Sequence, residues 1–243
     1  MNFLTLAQRA AVECGVAATQ SMTAVLSTTA NAAGSLGRIV NWVADAWLDL
    51  QMEHDDWDWM RSSNVLGAGA SFVPALGVAS TPLGTGAGQI GVAVDSFGKW
   101  DRNTFRNYTT AVGTQTEVFL DEIPFDVWRD SYMLGALRST KSRPTAIAVG
   151  PDQSLNVGPP SDGNYTVTAD YFLAPSPLLN DADIPLGLPT RFHMLIVYRT
   201  MIKYAGYESA GEVYQRGTTE YGAMFARLER LRLTELTMGG ALA

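Results

Sequence analysis

The chain is short of several things, and each shortage removes a class of function. Its 243 residues include one cysteine, Cys14, and two histidines, His54 and His193. A single thiol forbids an intrachain disulfide and a cysteine-rich zinc site, so folding has to rest on burial and assembly. No H-E-x-x-H pattern and no G-x-S-x-G elbow occurs, and Cys14 sits in an apolar helical pattern that reads as packing. Lys and Arg number 17 against 24 Asp and Glu, for a net charge of −7. That is the wrong sign for a surface that grips nucleic-acid phosphate, although a duplex can pass such a surface without being held. No run reaches the roughly 18–20 apolar residues that cross a bilayer; the nearest, Val65 to Ala79, is broken by glycines and Pro74. The start, MNFLTLAQRAAVECG, lacks the basic and then apolar pattern of a secretory signal. A soluble protein with no membrane partner is expected.

Charge itself is missing between Arg61 and Asp95. The stretch is built from Gly, Ala, Ser, Thr and Pro with scattered Val, Leu and Phe, which predicts a flexible arm or loop over residues 62–87. Long irregular stretches are rare in solitary domains, so this one is expected to lie against a neighbouring chain or to reach outward.

What the chain does have is a long helical pattern at Ser35–Arg61, SLGRIVNWVADAWLDLQMEHDDWDWMR, with four of the six tryptophans. Leu36, Ile39, Val40, Val43, Trp47 and Leu50 recur at three- and four-residue steps and predict one buried face. Asp45, Asp49 and Glu53 form a second row at i, i+4 spacing, where like charges repel by roughly 0.2–0.5 kcal/mol per pair. That row should face water or a basic partner. Helical periodicity also appears at Phe3–Cys14, Pro189–Ala205 and Ala210–Leu236, with Gly206 and Ser209 placed to close one helix and cap the next. Segments Ile90–Ser96, Thr116–Glu122, Thr145–Val149 and Tyr165–Leu173 are rich in Val, Thr, Phe and Tyr and bounded by turn formers, which predicts antiparallel strands, with Asp162-Gly163 as a hairpin turn. The expected fold class is α+β: a bundle of three to four helices drawn from both chain ends, residues 1–61 and 185–243, with a β-rich insertion at 88–184.

The motifs that suggest chemistry are weak. Gly86, Gly88 and Gly91 match G-x-G-x-x-G, but a strand-like IGVAVDSF follows where a nucleotide site needs a helix. Glu53, His54, Asp55 and Asp56 are metal-capable one by one yet read as a solvated helix end. His193, amid Phe192, Met194 and Leu195, reads as a core or helix-start histidine. No catalytic, metal or cofactor residue is assigned. Trp42 and Trp59 fall off the buried stripe and are candidate interface anchors. Arg227, Arg230 and Arg232 make the last helix the most basic piece; a solvated or intramolecularly paired stripe is one reading, and pairing with Asp45, Asp49 and Glu53 is the other.

These residues carry a likeness. SLGRIVNWVADAWLDLQMEHDDWDWMR together with DADIPLGLPTRFHMLIVYRTMIKYAGYESAGEVYQ and the closing helix resembles the head-to-tail adaptors of tailed bacteriophages, the tail tubular protein A-like connector adaptors. The resemblance implies a structural, non-enzymatic virion protein, a helical bundle with a β-rich insertion, and a ring of about twelve copies. It implies the portal protein and tail nozzle or fibre proteins as partners, a channel through which DNA passes unread, and a place in the neck between capsid and tail after assembly in the host cytoplasm. By the same likeness, Arg227, Arg230, Arg232 and Leu236 are candidates for portal or subunit contact. A channel lined with carboxylates repels phosphate and lets a duplex slide, which makes Asp45, Asp49 and Glu53 a candidate lining. Two other readings stay open: a head- or tail-completion protein of different ring order, and a tail-associated glycan-active enzyme suggested by the acidic, Trp-rich segment at Asp55–Asp58.

Overall fold

The structure, a computed structural model, describes residues 1–17, 26–30 and 32–232. The chain is mixed helix and sheet and divides into two compact units: Met1–Met60 with Pro175–Ala243, and Arg61–Ala174.

The first unit is helical, with α1 (Phe3–Glu13), α2 (Gly34–Met52), α4 (Met194–Glu208) and α5 (Gly211–Arg232), while α3 (Phe125–Tyr132) belongs to the other unit. The Asn2 carboxamide oxygen accepts the Thr5 amide at 2.9 Å and starts α1. In α2 the predicted stripe is buried at Ile39, Val40, Val43, Trp47 and Leu50, with Ala46 added. The helix ends at Met52, short of the predicted Arg61. Glu53, Asp55 and Asp56 are the wrong sign for the negative end of a helix dipole, and the chain turns there, with the Trp57 indole donating to the Leu50 carbonyl at 3.1 Å. Helix α4 contacts α1, α2 and α5, and α1 contacts α2. Leu195, Ile196, Val197, Thr200, Met201 and Ala205 are its buried residues.

At the end of α4 the structure differs from the sequence reading. The helix continues through Gly206 to Glu208, and Ser209 takes the left-handed C-cap conformation at φ 57°, ψ 33° instead of capping α5. The Ala210 amide then donates to the Ala205 carbonyl, satisfying an end carbonyl that a glycine cap would otherwise serve. On α5, of the apolar side chains Val213, Tyr214, Tyr221, Phe225 and Leu228, Leu228 alone is buried, together with Gly217. A Cβ at Gly217 would lie 3.2 Å from the Tyr198 carbonyl oxygen, so the two backbones meet closely there and leave the outer face of α5 open. The predicted continuation to Leu236 lies outside the described residues.

The second unit contains three small sheets. Strands β1 (Arg61–Ser62), β11 (Tyr171–Leu173) and β4 (Phe97–Trp100) form one in the order β1-β11-β4. The second is β2-β10-β5-β6, from β2 (Ala70–Phe72), β5 (Arg106–Thr109), β6 (Val118–Phe119) and β10 (Tyr165–Ala169). The third is β3-β9-β8-β7, from β3 (Ser80–Thr81), β7 (Asp121–Glu122), β8 (Ala146–Val149) and β9 (Leu155–Gly158). All pairings are antiparallel except the parallel β7–β8 pair. Two chain segments each serve two sheets. Residues 165–173 pass from β10 to β11 through Asp170, and residues 118–122 pass from β6 to β7 through Leu120, whose amide bonds to the Phe105 carbonyl. Strands that switch sheets at a bend make the corners of such folds. The core they enclose includes Phe72, Ile90, Phe105, Ile147, Leu155, Val157 and Val167.

Three sequence expectations are revised in this unit. Residues 62–87 hold β2 and β3, with Ala70, Phe72 and Ala79 buried, so charge-free composition there marks packed edge strands rather than a free arm. The Ile90–Ser96 segment forms a β-bridge at Gly84–Val92 and a single 3-10 turn at Val94–Ser96, and the strand follows at Phe97. Asp162-Gly163 joins β9 to β10, which lie in different sheets, so it is not a hairpin turn.

Candidate interaction site

The acidic row of α2 lies beside the basic residues of α4. Arg199 Nε is 3.3 Å from Asp49 Oδ2 and its terminal nitrogen is 3.4 Å from Glu53 Oε1, while Lys203 Nζ is 2.9 Å from Asp49 Oδ2. The spacing along α2 puts the carboxylates on one face, and the matching cations, Arg199 and Lys203, stand at i, i+4 on α4. Asp45, one turn earlier, is exposed and takes part in no ion pair among the described residues. Arg199 also lies over the Tyr221 ring at 5.4 Å. Burial pushes the Tyr221 hydroxyl up to about 12, with the Arg199 charge pulling the other way.

The basic residues of α5 go elsewhere. Arg232 pairs with Asp58 at 2.9 Å, and Glu229 with His54 at 2.9 Å. His54 stands edge-on to Trp57 and parallel to Phe225. Arg230 Nε donates to the Ala226 carbonyl, and Arg227 is exposed. Leu236 lies outside the described residues. The alternative that paired Arg227, Arg230 and Arg232 with Asp45, Asp49 and Glu53 is not what this chain does within itself: α5 pairs with the turn after α2.

The two tryptophans separate. Trp42 is half-buried, edge-on to Tyr204 at 6.3 Å and tilted against Tyr207 at 5.7 Å, with the Arg38 guanidinium 4.3 Å over the exposed Tyr207 ring. Trp59 stacks on the buried Trp57 at 4.3 Å, and its indole N–H is buried without a hydrogen-bond partner among the described residues. A Cβ at Gly187, which has φ +75°, would come 2.6 Å from the Trp59 Cβ, so glycine is needed to let that ring seat. Beside Arg38, a recess of about 340 Å³ at the start of α2 is lined in part by Thr29, Gly34 and Asn41.

The residues weighed for chemistry sit in structural settings. Among the described residues no group of three or more His, Cys, Asp or Glu side chains converges as a metal site. The Gly86–Gly91 motif is a turn: the Gly91 amide bonds to the Gly84 carbonyl and the Gln89 side chain accepts from Gly86. His193 is buried at the start of α4, with Nε2 at 3.0 Å from the Leu188 carbonyl and Nδ1 at 2.8 Å from the Met1 amine. With Nδ1 accepting, Nε2–H donates to Leu188; burial holds the imidazole below its ordinary range.

One feature of the second unit was missed from sequence. At the Asp170 corner, the turn Ser63–Gly69 projects between β1 and β2 with Val65 87% and Leu66 82% exposed. Its base is tied down. Asp170 is buried and accepts the Asn64 amide at 2.8 Å and the Arg61 guanidinium at 3.1 Å, and Arg61 also reaches Asp101 at 2.8 Å. The Asn64 carboxamide donates to the Ala70 and Ala169 carbonyls, and Ser62 donates to Ala68. Only an Asn and a remote Asp mark this lock in the sequence, which is why periodicity did not find it.

Comparison with known proteins gives a single clear outcome. No curated protein matches the chain, whereas a family model described as SU10 adaptor protein matches residues 1–242. The match includes both helical segments on which the adaptor resemblance was read, and the chain belongs to the SU10 adaptor protein family.

Proposed function

We propose that this chain is the head-to-tail adaptor subunit of a tailed bacteriophage, assembled as a ring of about twelve copies between the portal and the tail. The observation that carries the reading is the family match over residues 1–242, a family of structural phage adaptors. Heads and tails of such virions are joined by shape and charge, and the interaction features described above suit that work: paired charges between helices, a half-exposed Trp42–Tyr207–Arg38 cluster, and apolar side chains presented on fixed turns.

Within this reading α1, α2, α4 and α5 form a helical bundle drawn from both chain ends, Met1–Met60 and Pro175–Ala243, and the β-rich unit Arg61–Ala174, wider than the 88–184 expected from sequence, faces the tail proteins and neighbouring copies. Arg227, Arg230, Arg232 and Leu236 contact the portal or the next subunit, and Trp42 is a stronger interface anchor than the stacked Trp59. Asp45 is the member of the acidic row free to line the channel, since Asp49 and Glu53 already neutralise Arg199 and Lys203. DNA crosses the lumen without sequence-specific contact. The subunit is assembled in the host cytoplasm and ends in the virion neck.

The test is to mix purified chain with the cognate portal and image the product by negative-stain microscopy, with native mass spectrometry for copy number. A closed ring stacked on the portal is expected, of about twelve copies. A chain that leaves the portal bare at every concentration tried would remove the adaptor role.

A further inference from the structure

We propose that two fixed loops of opposite charge, residues 134–141 and 179–186, form a contact between neighbouring copies, with the basic loop of one copy seated on the acidic loop of the next. The inference rests on the adaptor reading and deepens it by naming both halves of a copy-to-copy contact.

Charge along the chain separates the two loops. From residue 131 to 151 the sequence holds Arg138, Lys141 and Arg143 and no carboxylate, whereas from 144 to 190 it holds five aspartates and no Lys or Arg. Arg143 is engaged inside its own unit, on Asn107 and the Thr116 carbonyl. Arg138 and Lys141 are exposed, and neither pairs with a carboxylate among the described residues.

The basic loop follows α3 and contains the 3-10 turn Gly135–Ser139. Its arginine is held in place: Nε and a terminal nitrogen donate to the Met133 carbonyl at 3.0 and 2.8 Å, and the Ser139 hydroxyl donates to the Ala136 carbonyl. Lys141 lies over Gly77, where a Cβ would come 2.6 Å from its Nζ. Leu134 and Leu137 are each half exposed within the same loop.

The acidic loop belongs to the helical unit and is equally fixed. The Asp183 carboxylate accepts the Leu179 and Asn180 amides, each at 2.8 Å, and the Asp181 carboxylate accepts the Thr29 amide at 2.7 Å. The Phe3 and Leu4 amides bond to the Asp183 and Asp181 carbonyls. These hydrogen bonds hold both carboxyls below their ordinary range, so both are charged at neutral pH, and neither has a cation partner among the described residues. Leu179, Ile184 and Leu186 stand exposed around them.

Each loop carries the apolar side chains that the other can cover and the charge that the other lacks. Arg138 and Lys141 meet Asp181 and Asp183 at the rim, while the leucines and Ile184 close over one another between them. Like loops repel, which disfavours a two-fold dimer through either one and leaves the head-to-tail pairing as the attractive one. A ring built by rotation needs such a contact between two different faces. Because bonds within each copy already fix both loops, little ordering entropy is left to lose when they meet.

Two variants test it. R138E/K141E reverses the basic loop, and N180K/A182K places cations in the acidic loop at exposed positions while the backbone amides keep their bonds to Asp183. Circular dichroism and melting temperature are expected to match wild type. In analytical ultracentrifugation the wild-type chain self-associates, less so as salt rises, and each variant alone associates more weakly by about ten-fold or more. Mixed in equal amounts the two variants associate again, because the intact basic loop of one meets the intact acidic loop of the other. Either variant associating as wild type does, a mixture no better than its parts, or a wild type indifferent to salt overturns the proposal. Portal binding, read in parallel, separates the two readings. A wild-type chain that stays monomeric yet binds the portal overturns the contact and leaves the adaptor role standing; one that associates through these loops and leaves the portal bare keeps the contact and removes the adaptor role.

Discussion

His193 couples the fold to pH through a plain chain of cause. Its ring is buried with both nitrogens engaged, and burial favours the neutral form, so its pKa in the folded protein is below the ordinary 6.5. The unfolded chain therefore binds a proton first as pH falls. Stability from this group is complete above about pH 6.5 and is lost progressively below it, towards the lower folded value. Denaturant midpoints of the wild type should fall between pH 7 and pH 5, and His193→Gln should flatten that limb; an unchanged slope in the variant would show that the imidazole does not titrate on unfolding. Asp181 and Asp183 act in a separate window. Hydrogen bonds from Thr29 to Asp181, and from the Asn180 and Leu179 amides to Asp183, hold both carboxyls below 3.8, so their contribution is complete above about pH 4 and is lost progressively below it, towards the lower folded values.

Among the elements, the corner at Asp170 sets how the β unit presents its edge. The carboxylate replaces the ladder partner that a bend removes, and it does so from a buried position. Asp170→Ala leaves the Asn64 amide without an acceptor and should destabilise the β unit by about 1–3 kcal/mol, read as a lowered urea midpoint. Asp170→Asn retains an acceptor oxygen and should cost less. Equal losses in the two variants would place the effect in the Arg61 charge pair and not in the amide. The same elements show what was legible in the chain beforehand. Helices α1, α2 and α4 were readable because burial at three- and four-residue steps leaves a periodic trace, and so were β8 and β10, whose Val and Thr content suits a half-covered sheet. Strands β5 and β9 were not, because each buries an asparagine at its centre. Asn107 is tolerated there by bonding to the Pro144 carbonyl and to Arg143, and Asn156 by bonding to Ala148 and Ser154. A polar residue in a strand is a turn signal until its partners are known. The ion pairs of α2 were half legible: one row announced itself, and its partner on α4 required the fold.

At the scale of the whole molecule, net charge is what would decide, in the proposed ring, how the genome is treated. A chain of −7, in which Arg199, Arg216 and Arg232 are each paired to one of its own carboxylates, has the wrong net sign for holding phosphate. If Asp45 faces the lumen, Asp45→Lys puts one added cation per copy around the channel, and its summed attraction should slow genome ejection several-fold, more at low salt than at high. Ejection at the wild-type rate from particles carrying the variant would place Asp45 outside the channel. Asp45 suits the measurement because its replacement breaks no ion pair among the described residues, unlike Asp49 or Glu53.

Cys14 offers a practical opening. Its thiol is buried, and desolvation with the neighbouring Glu13 charge pushes it up to about 12, which leaves almost no thiolate at neutral pH. Reagents that attack sulfur will therefore pass it by. A cysteine installed at any surface position becomes the reactive handle of the native chain, ready for a fluorophore or a bifunctional linker without first engineering the natural one away.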